Sequence, residues 1–116
     1  MMHILKYTIL DGLDMRQGLR EVLLPKGCRL LHVDEQHDRK VHVWVSGNAD
    51  DGMVKRVFDV CHTGYADPRS GSEKWKHVGT VLHSGGLVLH VFLLDEDWKG
   101  DPQTFGKVIR INSNER

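Results

Sequence analysis

Several features that would indicate a function class are missing from this sequence. Lys plus Arg and Asp plus Glu number 16 each in 116 residues, so no surplus of positive charge is available to hold a nucleic acid backbone or an anionic membrane. The longest apolar run, residues 87–94, falls far short of the roughly 20 residues that a membrane-spanning helix requires. These absences argue against nucleic acid and membrane as partners.

Cysteine is equally scarce. Cys28 and Cys61 are the only two, they lack CxxC spacing, and no secretory signal pattern precedes them. We therefore expect free thiols and a cytoplasmic protein. No HExxH motif, HxH motif or nucleophile elbow occurs, so the motifs predict no metal ligand, no cofactor and no catalytic residue.

What the sequence does contain is a period of two, repeated in short segments between turn residues. Apolar residues make up 40% and charged residues 28%, as in ordinary globular proteins. We predict a mainly β domain over residues 1–98, a small antiparallel barrel or sandwich of about six to eight strands. Residues 99–116 are predicted to form an extension with one possible edge strand.

The clearest local unit is a hairpin with Gly85 and Gly86 at its tip, since Gly-Gly supplies the positive φ of tight turns. A two-residue tip sets His83 opposite Val88. It puts the following residues on the core face: Val78, Thr80, Leu82, Leu87, Leu89, Val91 and Leu93. It puts His83 and His90 together on the other face. Residues 65–74, without any periodic pattern, are either a functional loop or a plain solvated one.

Six short segments, in order along the chain, resemble a family of short proteins encoded by tailed phages and prophages and classed as a domain of unknown function. The segments are Ile4-Leu5-Lys6-Tyr7, residues 24–31, the strand around Trp44, residues 56–64, Val78-Gly79-Thr80-Val81 and His90-Val91-Phe92. The resemblance implies a β-rich fold, a phage context and the host cytoplasm. It brings no activity or catalytic residue, and it explains neither the tail after Asp97 nor the eight histidines.

A ligand site is predicted where small polar residues meet glycines at strand ends, because backbone N–H groups are approachable there. Its residues are His62, Thr63, Gly64, Gly79, Thr80 and His90. His90 would hydrogen-bond the ligand, with an affinity that changes between about pH 5.5 and 7.5. The alternative is that these glycines end strands or relieve crowding, and that His90 only packs.

Three functions of different kinds follow. The preferred one is a non-enzymatic accessory protein that binds a host protein or a small anionic ligand to counter host defence. The second is a hydrolase that depends on histidine or on a metal, with His83 and His90 as a pair and a third group from His62, His77 or Asp59. The third is a structural, virion-associated protein.

We also expect a homo-oligomer, most simply a dimer, because small sheets with unpaired edges invite pairing. Trp98 follows three acidic residues just past the last strong strand. Since tryptophan is enriched at interface hot spots, Trp98 is the residue predicted to lie at an interface.

Overall fold

A computed structural model describes residues 1–11, 18–64, 72–83 and 86–111. The described strands are β1 (His3–Leu10), β2 (Leu19–Pro25), β3 (Arg29–Glu35), β4 (Val41–Gly47), β5 (Met53–His62), β6 (Trp75–His83), β7 (Leu87–Leu94) and β8 (Val108–Ile111). Two short 3-10 helices span Ala49–Asp51 and Pro102–Phe105. Neither of these described helices has the length or apolar character needed to cross a membrane.

The strands build two sheets. One has the order β1-β4-β3 and the other the order β6-β7-β5-β2-β8. Every neighbouring pair is antiparallel except β2 and β8, which run parallel. The mainly β prediction is confirmed, and of its two forms the sandwich fits: the described strands do not close into one barrel.

The main core lies between the two sheets. On β4, Val41, Val43 and Val45 alternate with outward-facing residues and have no exposed surface. They pack in one cluster with residues of the five-stranded sheet, including Phe58 and Leu89. The apolar residues of the period-two pattern are thus the buried ones. Their burial stabilises the fold by about 25 cal/mol for each square ångström of apolar surface removed from water.

A second apolar cluster occupies the opposite, outer face of the five-stranded sheet. We call this the outer cluster; its buried members are Leu19, Val57, Trp75, Phe92 and Leu94. Trp98, Phe105 and Val108 pack against it from the C-terminal part of the chain. One half of the outer face is therefore covered by the segment that follows β7.

The hairpin between β6 and β7 departs from the predicted register. His83 pairs with Leu87, not with Val88, so three residues separate the strands. Gly86 has a φ of +85° and its N–H donates to the His83 carbonyl at 3.2 Å. Gly85, like residues 65–71 of the predicted loop, lies outside the described residues.

This shift of one residue reverses the faces of β6, because neighbouring side chains on a strand point to opposite sides. Val81 and His83 are buried, whereas Leu82 is 76% exposed, and Thr80 is also exposed. The predicted core positions of Thr80 and Leu82 are therefore wrong. On β7 the prediction is confirmed for the core residues Leu89, Val91 and Leu93.

Gly79 marks the place where β6 packs closely on β3 of the other sheet. A Cβ built at Gly79 would overlap the Val33 Cγ1 atom. Val33 is 6% exposed and β-branched, so it has little freedom to move aside. The absence of a side chain at Gly79 therefore lets the two sheets approach each other.

Gly79→Ala should destabilise the protein by about 1–3 kcal/mol, the usual cost of overpacking. Val33→Ala should lower stability alone but recover part of the loss when combined with Gly79→Ala. A double-mutant cycle from urea unfolding measures this coupling. Additive losses would show that Gly79 and Val33 do not limit each other.

Candidate functional site

The outer face of the five-stranded sheet carries a polar group beside the outer cluster. We call it the histidine–threonine cluster; its members are Thr63, His77, Thr80 and His90. Thr63 directly follows β5, His77 and Thr80 lie on β6, and His90 lies on the central strand β7. Cross-strand pairing of Thr80 with His90 aligns the two side chains on one face.

His90 is held from both sides. Its Nε2 atom lies 2.8 Å from Thr63 Oγ1, and its Nδ1 atom lies 3.2 Å from Thr80 Oγ1. Thr80 Oγ1 is also 3.3 Å from Nε2 of His77. The two imidazoles are therefore connected through one hydroxyl, with ring centroids 6.2 Å apart.

The direction of these hydrogen bonds follows from their ends. The Val88 carbonyl can only accept, so the Thr63 hydroxyl, 3.4 Å away, donates to it. In the His90 tautomer that carries its proton on Nε2, Thr63 accepts from Nε2–H and Nδ1 accepts from the Thr80 hydroxyl. Thr80 in turn accepts from His77. If both nitrogens of His90 carried a proton, Nδ1 would donate to the Thr80 hydroxyl, which could then donate only to a His77 tautomer whose Nε2 is unprotonated.

Two further groups border the cluster. Cys61 pairs with His90 across β5 and β7, and its thiol donates to Asp59 Oδ2 at 3.4 Å. On the other side, the His77 ring meets the ring of Phe92 nearly edge-on, with centroids 5.2 Å apart. Since Phe92 belongs to the outer cluster, the polar and apolar halves of this face are in direct contact.

The predicted ligand-site residues are divided between the two faces of the sheet. Thr63, Thr80 and His90 come together, and Gly64 follows in an exposed turn with a φ of +98°. His62 pairs with the core residue Leu89 and Gly79 with the core residue Val91, which places both on the inner side. His77, which the ligand-site prediction omitted, completes the cluster. Whether these residues bind a ligand remains a prediction.

The histidine pair of the metal hypothesis is also divided. His83 lies on the inner side, where its Nδ1 atom contacts Oε1 of Glu35. The His83 and Glu35 side chains are 5% and 11% exposed, and they connect β6 with β3. His90 lies on the outer side. Within the described parts of the chain, no three His, Cys, Asp or Glu side chains are grouped so as to hold a metal ion.

A third arrangement joins a carboxylate, an imidazole and a hydroxyl. Asp38 Oδ2 lies 3.0 Å from His42 Nε2, and Thr8 Oγ1 lies 3.1 Å from His42 Nδ1. This order of groups is the one that activates a hydroxyl nucleophile. His42 is fully buried and Thr8 only 8% exposed, however, so a substrate has no access to the hydroxyl. We assign these three residues to stability.

Folding lowers the pKa of Asp38. Partial desolvation is the largest single effect and raises the pKa, but four other effects together outweigh it. They are hydrogen bonds from the Lys40 N–H and the His42 ring, and the positive charges of His42 and Lys40. The ionised carboxylate is therefore the form that the native state favours.

The two cysteines are free thiols. Burial raises the pKa of Cys28; the neighbouring Arg56 lowers it, Glu96 raises it and a backbone hydrogen bond lowers it, with a net rise. Because the thiolate is the reactive form, Cys28 is poorly suited to nucleophilic catalysis at neutral pH.

Comparison with known families identifies the chain. A family model described as a domain of unknown function, DUF7352, matches residues 1–100. The chain belongs to the DUF7352 family. Comparisons with curated proteins and with solved structures found no match.

The DUF7352 match covers β1 to β7 and with them the whole histidine–threonine cluster. It ends before the second 3-10 helix and β8, which therefore lie outside the DUF7352 domain as the model defines it. The sequence-based prediction of a domain of unknown function is confirmed. Membership in DUF7352 assigns no activity, partner or source to the chain.

Asp38→Asn should lower the free energy of unfolding at pH 7 by about 1 kcal/mol, because the neutral amide binds the buried His42 ring less well. The melting temperature should fall accordingly. A carboxylate with a lowered folded-state pKa stabilises the native state above the ordinary aspartate value of about 3.9, and this stabilisation is lost as the pH falls through the folded-state pKa.

The melting temperatures of the wild type and of Asp38→Asn should therefore converge in acid. Asp97→Asn, at an exposed position after β7, serves as the control for a lost charge. A difference that persists unchanged at low pH would contradict the assignment.

Proposed function

We propose that this DUF7352 protein is a non-enzymatic binding module, and that the histidine–threonine cluster binds a small anionic group such as a phosphate or a carboxylate. The observation that carries the proposal is the pair of imidazoles on an exposed face, connected by the Thr80 hydroxyl. Each imidazole nitrogen in this chain can donate or accept, according to the tautomer of its ring.

An anion is best bound by donors that are already in place, because less conformational freedom is then lost on binding. Thr63 and Thr80 fix the orientation of the His90 ring, and Phe92 supports the His77 ring. Charge-assisted hydrogen bonds from a protonated imidazole are about twice as strong as neutral ones. The cluster should therefore bind anions more tightly as the pH falls.

The surface beside the cluster has an apolar part. Leu82 pairs with Val88 at the hairpin end and is 76% exposed. A ligand with an anionic group and an apolar portion would contact both. The resemblance to phage and prophage proteins supports a host molecule as the carrier of that group, in the host cytoplasm, and a role in countering host defence.

Catalysis is the weaker proposal on the same observations. The one carboxylate–imidazole–hydroxyl chain among the described residues lies at Asp38, His42 and Thr8, where the hydroxyl is covered. On the outer face, the Cys61 thiol donates a hydrogen bond to Asp59.

Titration with inorganic phosphate, followed by the imidazole signals in NMR spectra, tests the proposal. His90→Gln should weaken phosphate binding at least about tenfold, equivalent to about 1.4 kcal/mol, while the melting temperature changes little. Thr63→Val and Thr80→Val should weaken binding less, because each removes one support of the ring.

His37→Gln, at an exposed turn position outside the cluster, is the matched control. It should leave the phosphate affinity unchanged. If His90→Gln lowers the melting temperature and leaves phosphate binding intact, His90 is a packing residue and the site is wrong.

A further inference from the structure

The C-terminal part of the chain docks onto the DUF7352 domain as a separate segment. We call residues 101–111 the docking segment; it contains the second 3-10 helix and β8. It begins one residue after the family match ends. It contacts the outer cluster, pairs with the edge of β2 and packs Ile111 against the main core, all of which belong to the family domain.

The groove that receives the docking segment is shaped for it. Phe105 packs between Trp75 and Trp98, with ring centroids 5.3 Å and 5.0 Å away. The Leu19 N–H donates to the Lys107 carbonyl at 2.7 Å. Gly18, with a φ of +143°, leaves room for that carbonyl, since a Cβ there would lie 2.6 Å from the oxygen. These contacts specify one register.

Pairing along the β2 edge is short. Four residues of β8 pair with β2 in parallel, from Val108 opposite Leu19 to Ile111 opposite Val22. Parallel pairs are slightly less stable per residue than antiparallel ones. Arg110 adds an ion pair with Glu21 at 3.3 Å, but the arginine side chain is 77% exposed, so this pair contributes little.

The docking segment is also packed less closely than the core. A cleft of about 260 Å³ is bordered by the sheet and by the connection after β7, and it reaches the docking segment at Pro102. A second cleft of about 430 Å³ runs along the segment between Gln103 and Arg110. Both clefts are open to solvent, and Ile109 is the one buried residue of the docking segment, so the segment should separate from the domain more easily than β4 or β5.

We propose that the docking segment is exchangeable: the groove formed by the outer cluster and the β2 edge accepts residues 101–111 from a second copy of this chain, giving a domain-exchanged dimer. An exchanged dimer keeps every contact of the segment and changes only the connection, which makes exchange a low-cost route to dimers. When the segment leaves, the unpaired β2 edge and the apolar outer cluster are exposed, and the segment of another copy is their exact chemical match.

The connection can act as the hinge. It runs from Asp95 to Gly100, and Gly100 lies so close to the Trp98 ring that any side chain there would overlap it. Trp98 contacts Phe105 of the segment. In the exchanged dimer the Trp98–Phe105 contact would join two chains, as the interface prediction for Trp98 requires. In the described chain this contact is internal, and the predicted homo-oligomer remains a proposal.

Cross-linking of full-length chains tests the exchange. One variant carries Glu21→Cys and another Arg110→Cys, at positions that are opposite each other on β2 and β8, both in a background with Cys28→Ala and Cys61→Ala. The two are mixed over a range of concentrations, incubated and oxidised. The yield of disulfide-linked dimer should rise with protein concentration. It should exceed the yield of the control by at least about tenfold, because docking holds the two thiols at a high effective concentration.

The matched control pairs Arg110→Cys with Lys26→Cys, which lies four residues beyond the paired register. Equal dimer formation in the control means random collision and overturns the proposal. A chain that carries both Glu21→Cys and Arg110→Cys provides a second check. If it forms only the intramolecular disulfide and no disulfide-linked dimer at any concentration, the proposal is also overturned. Native mass spectrometry of the unsubstituted chain supplies the measurement without any variant: a dimer at high concentration is expected, and a monomer throughout contradicts the exchange.

Discussion

The close packing of β3 against β6 is the constraint on which the rest of this structure depends. Gly79 lets Val33 approach, and four residues further along β6 the His83 side chain contacts Glu35 of β3 across the same boundary. Together these contacts decide which face of β6 is buried. Once Gly79 and His83 face inward, Thr80 must face outward beside His90, so the position of the histidine–threonine cluster follows from the packing of the two sheets.

The alternation of apolar and polar residues was sufficient to predict the strands but not the register of the hairpin. Both faces of β6 carry apolar residues, so Val81 and Leu82 were equally good candidates for the core. Gly85-Gly86 suggested a two-residue tip, and the register differs from that by one residue. The deciding contact, Gly79 on Val33, joins residues that are 46 positions apart, and no local pattern in the sequence reports it.

The candidate site could be predicted in part for the same reason. The rule that small residues near strand ends leave donors accessible points to Thr63 and Thr80, with His90 within reach, and these three residues do lie together. Gly79 was selected by the same rule, yet it faces the core. The burial of His42 and His83 could not be predicted from local sequence, because it depends on residues from other strands. A buried imidazole without Asp38 or Glu35 would be costly, so these pairs fix how the strands meet.

The two halves of the outer face are linked through Phe92. Its side chain belongs to the outer cluster beneath the docking segment, and its ring also supports the His77 ring. If the segment leaves the groove, Trp75 loses the Phe105 ring that covers it, and the outer cluster that contains Phe92 becomes more exposed. His90 is less dependent on this support, because Thr63 and Thr80 hold it from the two sides of β7. The connection between segment docking and anion binding would therefore act through His77, and a coupling between the two sites has a defined physical route.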